Sequence, residues 1–189
     1  MQHLIRRATD DDAAALMKLR MEAEEWLAAQ GIDQWRSLGF RDRALEKWRT
    51  DIAAGRTHVV EDGDGGVVGT VTLARPDTDF WTPQDDLDSA VYIAKLISSR
   101  GTSGARLGGR IIDWAASVAR RAGRPWVRLD CDRANIRLQD YYLREGFTHV
   151  RTEHPDPPPV RMDGATSCRR HPAPRPSPCR SPGDPGAHR

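Results

Sequence analysis

The sequence predicts an α/β (α+β) domain, with helices packed on a central sheet. Three observations carry this. Apolar residues switch repeatedly between a spacing of two, which fits strands, and spacings of three and four, which fit helices, in the order β, α, α, β, β, β, α, β, α, β. Gly31, the EDGDGG run, Gly123 with Pro125, and Gly146 fall where those elements must end. The 189 residues suffice for one domain with a real core and are too few for two ordinary ones.

HLIRRA alternates as a first strand, and Thr9 with Asp12 three residues on forms a capping box that opens a helix. Leu16, Leu19, Ala23, Trp26 and Leu27 then recur at helical spacing until Gly31 stops them. A second helix is expected over about 40–54, with Leu45, Trp48 and Ile52 on one face. THVVE and VVGTVTLA are β-branched runs joined by EDGDGG, whose turn chemistry makes them a hairpin. The strand AVYIAKLIS follows a polar loop that holds Trp81 and four acids, Asp79, Asp85, Asp86 and Asp88. A helix over about 107–122 is closed by Gly123 and Pro125. Strand WVRLDC, helix NIRLQDYYLRE ended by Gly146, and strand FTHVR complete the body.

The formal charge is +2, and acids and bases nearly balance up to Val150, so nothing marks a nucleic-acid partner. Cys131, Cys168 and Cys179 are widely spaced, with no CxxC, which argues against a disulfide framework or a metal site. MQHLIRRATDDD lacks the apolar core of a signal peptide, and no run of about 18 apolar residues is present to span a bilayer. A cytoplasmic protein without a membrane partner is expected, as monomer or homodimer. After His154 the composition changes: ten of thirteen prolines lie between Pro155 and Pro185, interleaved with Arg, Ser and Gly. Such a segment cannot bury a core. Residues 1–154 therefore read as the domain and 155–189 as a Pro/Arg-rich disordered tail. A sheet of this type calls for one more strand at its edge, for which VRMDGATSC is the candidate.

Two stretches carry chemistry. In SRGTSGARLGGRIIDW, at 99–114, a strand end, four glycines (Gly101, Gly104, Gly108, Gly109) and a helix start gather backbone N–H groups and a positive helix end. That arrangement suits an anion such as a pyrophosphate. No GK[ST] follows and GxGxxG is absent, so the loop matches neither a Walker nor a dinucleotide signature. In NIRLQDYYLREGF, at 135–147, Tyr141 and Tyr142 are adjacent on a helix and point in different directions. Either both pack in the core with satisfied hydroxyls, or one leaves it.

Together, the strand, the glycine loop, the helix, the strand, and then a helix reading N-x-x-[apolar]-x-x-[apolar]-Y-x-x-x-G-F resemble the GNAT superfamily of N-acetyltransferases. The resemblance covers about 4–151, includes the GIDQW segment at 31–35, and is strongest over 91–150. It implies a GNAT-like mixed central sheet flanked by helices. It also implies an acetyl-CoA co-substrate between two splayed parallel strands, 91–98 and 126–131, with the pantetheine arm along Leu96, Ile97 and Ser98. The pyrophosphate signature [Q/R]-x-x-G-x-[G/A] falls on Ser103, Gly104, Ala105, Arg106, Leu107 and Gly108, and only its last glycine is kept. Arg106 stands where glycine lets the backbone approach the phosphates. Its guanidinium either swings out to pair with a phosphate, with help from Arg100, or crowds the cleft.

The implied activity is acetyl transfer to the amine of a small molecule by direct attack in a ternary complex. At neutral pH only about one alkylamine in two thousand is deprotonated. A base is therefore needed, and an acid to help the thiolate leave. Tyr142 falls on the family's general-acid position, and Asn135 would touch the cofactor arm or a water. No glutamate stands on AVYIAKLIS, so the candidate bases are Asp88 and Asp130, and Lys95 on that strand is expected to face solvent. Trp35, Trp81 and Tyr92 are candidates for the amine pocket, and the four loop acids would attract a cationic amine. The alternative is a catalytically weak or inactive acyl-CoA-binding protein of the same fold.

Overall fold

The computed structural model describes residues 3–32, 40–101, 106–153 and 165–170, with residues 40, 153 and 165–170 described through their backbone alone. Trp35, Ser103, Gly104, Ala105, most of GIDQW and most of the proline-rich segment lie outside the described residues. The helices are α1 (Ala13–Ala29), α2 (Phe40–Ala53), α3 (Leu107–Arg121) and α4 (Ile136–Arg144). The strands are β1 (Leu4–Arg7), β2 (Thr57–Glu61), β3 (Val67–Ala74), β4 (Ala90–Ser98), β5 (Trp126–Asp132), β6 (Thr148–Glu153) and β7 (Ala165–Arg170). They form one sheet in the order β1-β2-β3-β4-β5-β7-β6. Among the described residues only the β4–β5 pair is parallel. No helix among the described residues is long and apolar enough to cross a membrane.

The extra strand is not at the edge, where it was expected. β7 inserts between β5 and β6, antiparallel to both, with Leu129 opposite Cys168 and Thr148 opposite Arg169. A strand in that slot satisfies the backbone groups of two neighbours instead of one. The sheet therefore continues beyond His154, where the domain was expected to end, and the strand begins five residues into VRMDGATSC.

Alternation along the strands divides the core. Val60, Val71, Val91, Ile93, Val127 and Leu129 face α3 and α4, meeting Ile111, Ile112, Ala115, Tyr142 and Phe147. The opposite face packs Val59 and Ile97 against Leu16, Leu19, Trp48 and Ile52 of α1 and α2. Ile97 stands on the wrong side for strict alternation with Val91 and Ile93. The pairs Thr70–Ile97 and Thr72–Ala94 show why: β4 has one residue more than β3 over this stretch, a β-bulge. Lys95 within it has φ of +52°. This lysine is not solvent-facing, as the sequence suggested. Its Nζ lies 2.6 Å from Asp51 Oδ2 on α2 and 5.7 Å from the centre of the Trp48 ring.

The loop between β3 and β4 is pinned by two arginines. Arg128 donates to Tyr92 Oη at 2.9 Å and to the Asp85 carbonyl at 2.7 Å. Arg151 grips the Asp85 carboxylate at 2.8 and 2.5 Å and the Phe80 carbonyl at 2.6 Å. Both guanidiniums lie over the Trp81 ring, 4.9 and 5.3 Å from its centre. Trp81 and Tyr92 are thus core residues, packed with Phe80 and Ala90, and do not line an open pocket as expected.

The Arg151 hydrogen bonds hold the Asp85 carboxyl well below the usual carboxylate range, against the upward push of burial. A carboxyl lowered on folding adds stability above its unfolded value near pH 4, and that stability is lost as pH falls through the folded value. Arg151→Met is expected to cost about 2–3 kcal/mol at neutral pH. The variant should also lose less additional stability on acidification than the wild type. Urea melts at neutral and acid pH check this, and parallel losses in the two proteins would refute the coupling.

Candidate functional site

The ladder between β4 and β5 covers Ala90–Tyr92 and Trp126–Arg128 and ends there. Beyond it β4, turned by its bulge, runs on to Ser98, and the strands diverge. A cleft of about 510 Å³ lies at this end of β4. It is bordered by Leu96, Ile97 and Ser98 of β4, by the start of α3, by α4, and by Ala23, Trp26 and Leu27 of α1. Eight residues assigned to a cofactor from sequence border it: Leu96, Ile97, Ser98, Arg106, Leu107, Gly108, Asn135 and Tyr142.

The start of α3 is shaped by α4. A Cβ at Gly108 would collide with Tyr141 Oη, and one at Gly109 would stand 2.8 Å from Glu145 Oε2. Tyr141 near the end of α4 and Glu145 at its C-cap are four residues apart and point the same way, so the glycine pair is what lets the two helices approach. Arg106, just before α3, has φ of +48°, a left-handed conformation costly for any residue with a side chain. Its guanidinium is turned outward, 71% exposed, with Nη2 3.8 Å from Glu145 Oε1. Arg106 still borders the cleft, with its guanidinium at the rim in solvent.

Charge around the cleft is one-sided. Arg100, Arg106, Arg137 and Arg144 border it, with Glu145 the one acid among the described lining residues. Arg100 stacks on the Trp26 ring, 3.5 Å from its centre. Arg137 donates to Gln30 Oε1, tying the start of α4 to the end of α1. Sequence reasoning missed Trp26, Arg137, Tyr141 and Glu145. The i, i+4 spacing of Tyr141 and Glu145 beside two consecutive glycines was the available signal for the latter two.

Asn135 is buried, and its Oδ1 accepts from Leu138 N at 3.1 Å, capping α4. Tyr142 is buried too, with its ring 5.5 Å from those of Tyr141 and Phe147. Asp88 is not brought to this cleft. It lies exposed before the first residue of β4, about 20 Å of strand away from Leu96. The acidic loop as a whole sits at that far end, so it does not lead into the cleft. Asp130 is half-buried on β5, two residues past the last β4 pairing, on the face that carries Arg128. Its charge reaches Tyr92, whose hydroxyl is pushed up mainly by burial and drawn back by Arg128.

No family model matches the chain. A curated Bacillus subtilis (strain 168) protein named uncharacterized N-acetyltransferase YesJ is 26% identical over 143 residues, 74% of this chain and 78% of that protein. Among solved structures, a GNAT-family acetyltransferase from Listeria monocytogenes superposes with a TM-score of 0.69 at 24% identity, covering 89% of this chain and 94% of that one. The structure of yncA, a putative acetyltransferase from Salmonella typhimurium with its cofactor acetyl-CoA, gives 0.59 at 18% identity, covering 95% and 99%. The fold is the GNAT fold.

Two substitutions separate the stabilities built into this site. Asn135→Ala should cost about 1 kcal/mol through the lost cap, with Asn135→Ser close to neutral. Arg106→Gly should gain up to about 1 kcal/mol by relieving the positive φ, since the ion pair it gives up is long and its arginine lies mostly in solvent. Thermal melts check both, and a destabilised Arg106→Gly would contradict the strain.

Proposed function

We propose that this chain, which has the GNAT fold and is 26% identical to a curated N-acetyltransferase, is itself a GNAT-superfamily enzyme, an acetyl-CoA dependent N-acetyltransferase acting on the amine of a small molecule. The observation that carries the proposal is the cleft itself. It opens where β4 leaves β5, it is edged by strand backbone, and it is bordered by four arginines and by the start of α3.

These features fit an acyl-CoA. The backbone of Leu96, Ile97 and Ser98 would hold the pantetheine arm as a neighbouring strand would. The first turn of α3 with Arg106, and with Arg100 at the rim, would hold the phosphates. Bound there, acetyl-CoA supplies the thioester that the amine attacks. Tyr142, buried against Tyr141 and Phe147 where α4 borders the cleft, holds at Oη the proton that a departing thiolate takes up. Asp130, past the point of divergence and half-buried, is the candidate to take the amine's proton directly or through a water.

One observation favours the alternative, an acyl-CoA binder of little or no activity: the described lining of the cleft has no acid on β4, and its one carboxylate, Glu145, sits at the anion end. Thiol release separates the two. Given acetyl-CoA and a panel of small amines, the protein should liberate free CoA thiol. Tyr142→Phe should lower kcat by about 100-fold or more, with acetyl-CoA affinity within about threefold of wild type. Binding without thiol release would favour the inactive binder, and no calorimetric heat with millimolar acetyl-CoA would sink both.

A further inference from the structure

Glu145 is the residue of the cleft that the proposed activity leaves without a task. It follows α4, just before the Gly146 stop, and is only 8% exposed. Its carboxylate is pressed onto bare Gly109 in the first turn of α3 and faces Arg106 across 3.8 Å. Backbone N–H groups without intrahelical partners gather in that turn, and the helix field there favours negative charge. A buried carboxylate therefore already holds the place that draws anions.

Resting on the acyl-CoA assignment of the cleft, we propose that Glu145 sets the affinity for the cofactor as a built-in competitor of its phosphates, with Arg106 as the cation the two anions share. In the free protein Glu145 offsets the local excess of positive charge. A phosphate arriving at α3 meets a like charge in a partly dry cleft, where such repulsion is poorly screened. Arg106 is long and exposed, and its separation from Glu145 is too great for a hydrogen bond, so it can change partner without rebuilding the fold. The cleft then holds CoA less tightly than its arginines alone would, and lets it go faster.

A merely structural Glu145, one that fastens α4 to α3, predicts a different outcome. The test is calorimetry of CoA, and in parallel of pantetheine, which lacks the phosphates, on the full chain and on Glu145→Gln. Glu145→Ala, which needs no partner, stands in should the glutamine variant fail to fold, as thermal melts will tell. The neutral variants should bind CoA about tenfold more tightly than wild type, with a slower CoA off-rate and no gain for pantetheine. Equal or weaker CoA binding by the neutral variants, or an equal gain for both ligands, overturns the role of Glu145 and leaves the acyl-CoA assignment standing. No CoA binding by any of the proteins overturns both.

Discussion

The cleft depends on one extra residue in β4. Without the bulge at Lys95, Val91, Ile93 and Ile97 would keep one face, and β4 could stay in register with β5 toward its end. With it, Ile97 enters the α1–α2 core while Ile93 stays under α3, and the parallel ladder stops at Tyr92. The left-handed conformation of Lys95 costs about 1–2 kcal/mol. Its ammonium offsets this by reaching Asp51, which also takes Arg56 at 2.7 Å. Burial pushes the Asp51 carboxyl up, yet the hydrogen bonds from Lys95 and Arg56 outweigh it and hold the group below its ordinary value. A charged, tethered pair thus fixes a backbone distortion that no apolar residue at 95 would hold in the same way.

The opposite wall rests on a second close approach. Gly108 and Gly109 read in the sequence as room for a ligand's phosphates. In the structure the same missing side chains make room for Tyr141 and Glu145. The two demands are compatible, because one helix start can be approached by α4 from one side and by a ligand from another. They also mean that a change in how α4 seats itself is felt at once at the anion end of the cleft.

Most of the element order was legible because periodicity and turn residues act locally. Leu16, Leu19 and Leu27 mark α1, EDGDGG marks the β2–β3 hairpin, and Gly146 marks the end of α4. What escaped was non-local. AVYIAKLIS reads as an unbroken strand, since a bulge shows only against its partner's register. Trp81 and Tyr92 looked available for a pocket because the arginines that pin them, Arg128 and Arg151, lie tens of residues away. The composition of VRMDGATSC fits an edge strand and carries no sign of the slot between β5 and β6 that β7 fills. Asp88 is next to β4 in sequence, but that places it at the start of the strand and not at the cleft. A strand separates its two ends by some 20 Å.

Two non-glycine residues in left-handed conformations, Lys95 and Arg106, flank the cleft, and each points its charge at a carboxylate of a neighbouring helical segment. The pairs differ in kind. Lys95–Asp51 is short and three-quarters buried, which fits a contact that must not move, since it holds the divergence of the strands. Arg106–Glu145 is long, and its arginine is mostly in solvent, which fits a contact that can be exchanged. Strain of similar size is therefore used in opposite ways: at the bulge it is locked by desolvated charge, and at the mouth it presents a cation where partners can compete for it. A cleft that must keep its backbone edge rigid while admitting and releasing an anionic ligand needs that asymmetry, and the burial of the two pairs supplies it.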